Sequence, residues 1–520
     1  MTKNANTNEA NIEKSSAQKD FFSWAGANFL TKALGYLRDA MLVAVFGGGA
    51  LTDAYYAAFR ITNLFRRTLG EGGLNAVFIP GYAVERNKGG CHAGEFASRF
   101  WTATLFGSMA AVIAGIIFCR PLTYMTAAGF AGLPEYFTFT ALLTAVFAPH
   151  FLFVNVSAYF TALLNSSNIF FLPAISQAVF SISVLLALIS YKFGPFASIE
   201  PKKALLIVAA AASISGIIQV AMVIPSLKKS GFSLKFSALK DSIRVFPLVF
   251  AAVPATAVLA QEQISLLIDT CFASFLPEGS ITAIYNASRL TQFPVSMFAA
   301  AAAATALPYL SRFSAEKNNV AFNAHLYRAV FTSQLMLFPS AFGLAALSMP
   351  ICSLLFMHGN FTLEQTSLTA NVLIYACIGL PAFGLNKVMA SALYARGHKK
   401  MPALVIAGQL AANIILCFIL MKPLGAPGLL LATSISSIAA AAAFLAIAWR
   451  LTGFNAINKS MAKTVLCAAA AGGCAWVFAW QLDSFWAPVI FGIPAAAILY
   501  FIGLAYLNIS ERKLLIGNFI

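Results

Sequence analysis

Eight ionisable side chains crowd one otherwise apolar stretch, KALGYLRDAMLVAVFGGGALTDAYYAAFRITNLFRRTLGEGGLNAVFIP: Lys32, Arg38, Asp39, Asp53, Arg60, Arg66, Arg67 and Glu71. The stretch reads as two long helices joined at Gly47, Gly48 and Gly49. An ionisable group at bilayer depth costs roughly 2.5–3.5 kcal/mol on insertion scales, so such groups face a protein interior or a wet cavity. Asp53, Arg60 and Arg67 recur every seven residues, and Glu71 follows Arg67 by four, which places all four on one stripe of a helix. The expected chemistry is anion binding, because paired guanidinium forks match the oxygens of a phosphate. Arg38 and Asp39 are neighbours, and neighbouring side chains diverge on a helix, so Asp39 is expected to orient a group on another helix rather than Arg38.

Further along, Arg289 lies in YNASRLTQFPVSMFAAAAAATALP, Glu262 and Asp269 share a face seven residues apart, and Lys387 lies in GLPAFGLNKVMASALYARG. The basic excess within the apolar segments points to a phosphorylated or carboxylated amphiphile or solute. A plainer reading exists for several of these groups. Arg66, Arg67 and Lys387 are near enough to segment ends to snorkel, and Lys32 could pair with a lipid phosphate. Asp269 with Asn413 and Thr433 could hold a cation or proton, but polar residues in such helices more often only tie helices together.

These residues must be positioned by membrane helices. Hydrophobic residues make up 60% of the 520 positions and charged ones 10%, with mean hydropathy +0.79, whereas a soluble domain has about a quarter of its residues charged. The fold class expected is an all-α polytopic membrane protein of 14 transmembrane helices, near 21–46, 51–82, 96–118, 137–163, 168–190, 204–225, 246–275, 281–309, 325–349, 365–394, 402–421, 427–449, 461–481 and 486–507. Residues 1–20 read as a disordered polar tail. Helices 1–6 form one lobe over 21–226, a basic segment links over 227–245, helices 7–12 form a second lobe over 246–450, and 451–520 hold helices 13 and 14 and a tail. Both lobes open on a long helix pair joined by a tight turn, GGGA and PEGS, and repeated halves around a midplane site are common in secondary transporters.

The net charge of +16 follows from topology. With an inside amino terminus, 22 of the 34 Lys and Arg fall in inner segments, and the outer loops hold only Arg120, Lys192, Lys202, Lys203 and Lys422. Nucleic-acid binding is left without support, and both termini are expected to be cytoplasmic. The eight cysteines form no CxxC pair and read as small apolar residues. There is no GxxxxGK[ST], no HExxH, and no nucleophile–base arrangement around His150 or His325. Transport, not an enzyme, is the expected activity.

The opening stretch, together with QISLLIDTCFASFLPEGSITAIYNASRLTQFP, LFMHGNFT, GLPAFGLNKVMASALYARGHKKMP and PLGAPGLLLATSIS, resembles the MurJ (MviN) lipid II flippase family of the multidrug/oligosaccharidyl-lipid/polysaccharide exporter superfamily. The resemblance implies a fourteen-helix, two-lobed, V-shaped flippase of the bacterial cytoplasmic membrane. Its substrate would be lipid II, the undecaprenyl-pyrophosphate-linked disaccharide-peptide of peptidoglycan, moved from inner to outer leaflet by alternating access. Carried over, Arg38, Asp39, Asp53, Arg66, Arg67 and Arg289 would bind the pyrophosphate and headgroup; Arg60 and Lys32 join them on the charge pattern above. Helices 13 and 14 would form a groove for the lipid tail. No cofactor is implied beyond a monovalent cation at Asp269, Asn413 and Thr433, or the membrane potential; partners would be membrane lipids and cell-wall synthesis proteins. The chain departs from the family in having Lys32 for a common Arg, Ser288 for the acid before Arg289, Glu71-Gly72-Gly73-Leu74 for EGAF, and Cys417 where sodium coupling would have a second acid. The rival readings are an exporter of another polyprenyl-linked glycan or a drug, and a non-transporting scaffold of cell-wall synthesis.

Overall fold

Backbone polar groups in lipid must be satisfied within the chain, and long apolar segments meet that demand as helices. The computed structural model describes residues 26–27, 29–66, 74–89, 92–167, 169, 171–230, 232, 235–242, 245–398, 400–456, 458–482 and 484–506; at 65, 74–77, 239, 246 and 248–260 only the backbone is described. Among the described residues there are helices and no strands.

In chain order the helices are α1 (29–46), α2 (Ala50–Phe65), α3 (Leu74–Asn87), α4 (His92–Ile117), α5 (Cys119–Ala127), α6 (Pro134–Asn165), α7 (Phe171–Ser176), α8 (Ala178–Phe193), α9 (Pro201–Lys229) and α10 (Leu239–Ser242). They continue as α11 (Phe246–Ala273), α12 (Ser280–Pro294), α13 (Ala300–Ala315), α14 (Asn319–Ala346), α15 (Ser348–Phe356), α16 (Leu363–Ala395), α17 (Lys400–Leu424), α18 (Ala426–Thr452), α19 (Lys459–Gln481) and α20 (Ile493–Tyr506). Eleven spans among the described residues are long and apolar enough to cross a membrane. Of the other three expected spans, helices 1 and 2 include positions outside the described set, and helix 7, seen as α11, is described along part of its length by its backbone only. Outward faces are as apolar as buried ones, with Ile117, Leu404, Phe418 and Trp480 exposed, as lipid-facing surface requires.

The chain divides into two units, each discontinuous in sequence. The first takes Met1–Val45, Ala58–Thr123 and Glu135–Leu259; the second takes Phe46–Ala57, Tyr124–Pro134 and Ala260–Ile520. In the first unit an aromatic cluster of Phe78, Phe100, Trp101, Tyr159 and Phe160 binds α3, α4 and α6, and the Tyr159 hydroxyl donates to Ala97 O at 2.7 Å. The segment after α9 is fastened to α4, where the Ser237 amide donates to Thr102 Oγ1 at 3.0 Å.

In the second unit α16 is the axial element, packed by α12, α14 and α18. Small residues permit this. A Cβ on Gly379 would lie 2.7 Å from Ser434 Cα, and one on Gly384 would lie 2.0 Å from Leu337 Cδ1. α16 starts on a reciprocal cap between Thr362 and Gln365. Pro294 ends α12 and a wider turn, Val295–Ala299, leads to α13, a combination that bends a membrane helix. α19 and α20 pack on α14 through Phe331, Leu335, Cys467, Ala471 and Tyr500.

Candidate functional site

In the first unit the predicted charges gather on α1 and the later part of α2. Arg38 and Asp39 are buried, at 8% and 2% exposure, and they bond to each other. Arg38 Nε donates to Asp39 Oδ1 at 2.9 Å, and Nη2 donates to the same oxygen. This corrects the expectation that the two side chains diverge. The four-bond arginine stem is long enough to curl back across the angle between neighbouring residues, and away from water a guanidinium and a carboxylate attract strongly. Arg60, also buried at 3%, lies on α2. Arg66 donates from Nε and Nη2 to Asn63 Oδ1 at 3.3 and 2.9 Å, one helical turn back. Lys32 is exposed, whereas Arg67 and Glu71 lie outside the described residues.

Asp53 belongs to the second unit, and its geometry is that of a cap. Its Oδ2 accepts from the Gly279 amide at 2.7 Å; its Oδ1 accepts from the Thr282 amide at 2.7 Å and the Thr282 hydroxyl at 2.6 Å. The carboxylate thus satisfies amides at the start of α12 that no helical carbonyl can reach, and sits at the positive end of its dipole. Glu278 answers, accepting from the Ala50 amide at the start of α2 at 3.4 Å. Gly279 adopts φ +89°, and a Cβ there would lie 2.4 Å from Gly48 O, so this turn is built for glycine. Tyr56 and Tyr285 stack at 3.8 Å between centroids one turn further along. The GGGA and PEGS turns are therefore partners; Thr282 was not singled out from the sequence, where a Thr two residues past Ser280 carries no distinguishing signal.

Arg289 is half-buried on α12. Lys387 Nζ is 3.9 Å from Glu262 Oε2, with both side chains part-exposed. Asp269 is fully buried and does join its expected neighbours. Thr433 Oγ1 lies 3.0 Å from each Asp269 oxygen and 3.1 Å from Asn413 Oδ1. Asn413 Nδ2 donates to Asp269 Oδ1 at 3.4 Å and to Ser265 Oγ at 3.3 Å. Cys417 Sγ is 3.9 Å from Asp269 Oδ1. One carboxylate among neutral oxygens fits a monovalent cation or a proton by donor chemistry, and among the described residues no group of three or more His, Cys, Asp or Glu gathers.

With the geometry in place, comparison with known proteins places the chain. A family model described as lipid II flippase MurJ matches residues 42–494. The chain belongs to the MurJ lipid II flippase family. A probable lipid II flippase MurJ of Rhizobium tropici is 29% identical over 421 residues, covering 80% of this chain and 78% of its own. The lipid II flippase MurJ of Burkholderia cenocepacia is 26% identical over 424 residues, covering 79% and 80%. Among solved structures, a lipid II flippase MurJ in an inward closed conformation superposes with TM-score 0.79 at 25% identity, covering 95% of this chain and 99% of that one. An inward-facing MATE-family transporter of the MOP superfamily matches with TM-score 0.62 at 14% identity, covering 81% and 94%, a likeness of fold alone. The family match takes in α2 and α12, which carry Asp53, Arg60 and Arg289, whereas Arg38 and Asp39 on α1 precede its first matched residue, 42.

Proposed function

We propose that this protein is a lipid II flippase of the bacterial inner membrane. It moves undecaprenyl-pyrophosphate-linked disaccharide-peptide from the inner to the outer leaflet by alternating access and so supplies peptidoglycan synthesis. The observation that carries the reading is the family match over 42–494 joined to buried guanidinium groups on α1 and α2 at Arg38 and Arg60. Buried arginines are retained at such a cost where an anion must be drawn out of water.

Arg38, Asp39, Arg60, Arg66, Arg67 and Arg289, with Lys32 at the rim, bind the pyrophosphate and headgroup. Asp39 bonded to Arg38 sets the orientation of that guanidinium, and Asp53 acts at the α2 and α12 termini, holding the frame. The chain has fourteen spans, with both termini cytoplasmic; helices 1–6 over 21–226 and helices 7–12 over 246–450 are the two lobes, joined by the basic segment 227–245. Helices 13 and 14 accommodate the lipid tail. Asp269, Asn413 and Thr433 offer a monovalent cation a carboxylate and neutral oxygens, which would couple transport to an ion gradient; the membrane potential is the other candidate drive. Cell-wall synthesis proteins are the expected partners.

The test is depletion in the host with complementation by wild type, Arg38→Ala or Arg289→Ala, reading lipid II in the outer leaflet. The proposal expects trapped lipid II on depletion, rescue by wild type, and no rescue by arginine variants that reach the membrane at normal levels. Undiminished outer-leaflet lipid II on depletion, in a host with no other flippase, would overturn it; a scaffold would tolerate the arginine changes.

A further inference from the structure

Within the first unit the Arg38 guanidinium rests on aromatic rings. Its Cζ is 4.9 Å from the Phe180 centroid on α8 and 5.9 Å from the Phe59 centroid on α2. Those two rings are stacked on each other, 5.6 Å apart with 16° between their planes. Each is braced from α6: Phe147 lies 5.5 Å from Phe59, and His150 lies 5.0 Å from Phe180. Phe59 and Phe147 are buried in the core of the unit. α8 is otherwise aliphatic or small from Ala178 to Ser190, so Phe180 is the ring that this helix brings to Arg38.

We propose that Phe180, steadied by Phe59, is a positioning residue for Arg38 in binding the substrate's pyrophosphate; the proposal rests on the flippase reading and on Arg38 as part of its anion site. A guanidinium has five N–H groups in one plane, and a carboxylate partner consumes some of them: Asp39 takes Nε–H and one at Nη2. A ring face attracts the cation through its quadrupole and consumes none. The combination holds the guanidinium by a carboxylate bonded at Nε and Nη2 and by a ring whose centroid lies 4.9 Å from Cζ. Asp39 and the rings both bear on how that charge is oriented. Leucine at 180 would fill similar space without attracting the cation.

The experiment uses the full-length protein in nanodiscs with lipid II as the probe, measuring dissociation constants and melting temperature for Phe180→Leu, Phe180→Trp and Arg38→Ala. It also uses a series in which Phe180 carries one, two and three ring fluorines, which weaken the quadrupole with little change of shape. Phe180→Leu should weaken lipid II binding about tenfold, and Phe180→Trp should restore it. Each fluorine should weaken it by a similar step while the melting temperature holds, and the series should become flat in an Arg38→Ala background. A flat fluorine series in otherwise normal Arg38 protein overturns the proposal while leaving the anion site standing. Unchanged binding in Arg38→Ala overturns the anion-site reading and this proposal with it.

Discussion

Asp53 is the sharpest place to test the physical reasoning, because one buried carboxylate, 2% exposed, accepts three short hydrogen bonds from the start of another helix. In Asp53→Ala the Thr282 hydroxyl can rotate to a carbonyl of its own helix, but the Gly279 and Thr282 amides lose their acceptor. Each orphaned buried donor costs about 1–3 kcal/mol, and the lost helix-dipole attraction adds up to about 1 kcal/mol. Removing a buried charge returns part of this, for a net loss of roughly 3 kcal/mol. At about 2–4 °C per kcal/mol, the melting temperature should fall by roughly 6–12 °C. Asp53→Asn keeps one oxygen for Thr282 and turns an NH2 toward the Gly279 amide, so about half the loss is expected. The assay is thermal unfolding of purified protein by tryptophan fluorescence, with amide hydrogen exchange read at 279–283. Exchange there should accelerate selectively. Wild-type stability and exchange in Asp53→Ala, with lipid II binding lost, would refute the cap and assign this carboxylate to substrate.

Three further outcomes follow from the same geometry. Gly279→Ala combines a left-handed backbone with a Cβ 2.4 Å from Gly48 O; a loss of more than about 1 kcal/mol is expected in the same unfolding assay, and Gly343→Ala, with open space around its Cβ, serves as the control. Asp39→Ala should destabilise by about 3–5 kcal/mol by removing the carboxylate bonded to buried Arg38, and the double change with Arg38→Ala should recover part of it; strict additivity in the double-mutant cycle would show the pair to be uncoupled. If a monovalent cation occupies the Asp269 cluster, sodium or potassium should raise the melting temperature of wild type and not of Asp269→Asn or Thr433→Val; an equal rise in all three would exclude that cluster.

Much of the architecture was legible because bilayer insertion is a one-dimensional problem. Long runs without charge had to be helices, and the eleven described spans expected after helix 2, apart from helix 7, recur with ends shifted by a few residues, mostly outward, as in Pro134–Asn165 for 137–163 and Leu363–Ala395 for 365–394. Extension is the expected direction, since polar end turns carry no hydropathy signal yet continue the hydrogen-bond ladder. The unusual charges were legible for the same reason: Arg38, Arg60, Asp53 and Asp269 are conspicuous in apolar surroundings, and burial of all four is what their context demanded. The Asp269, Asn413 and Thr433 grouping came from matching a family pattern, and the three do meet.

What each charge touches was another matter. Periodicity along one helix assigns a face, and it misjudged Arg38 and Asp39 because it treats side chains as short vectors fixed at Cβ, whereas an arginine can reach back to its neighbour. The sequence by itself determined that this chain crosses a membrane many times and carries cations within its apolar segments, because transfer energies and charge count are sums over residue types. Only the tertiary structure decided that Asp53 caps α12, that Gly279 must lie against Gly48, and that Phe180 lies under Arg38. These pairings join residues as far apart in the chain as Gly48 and Gly279, and a partner that distant is selected by how helices pack, to which no local pattern of residue types responds.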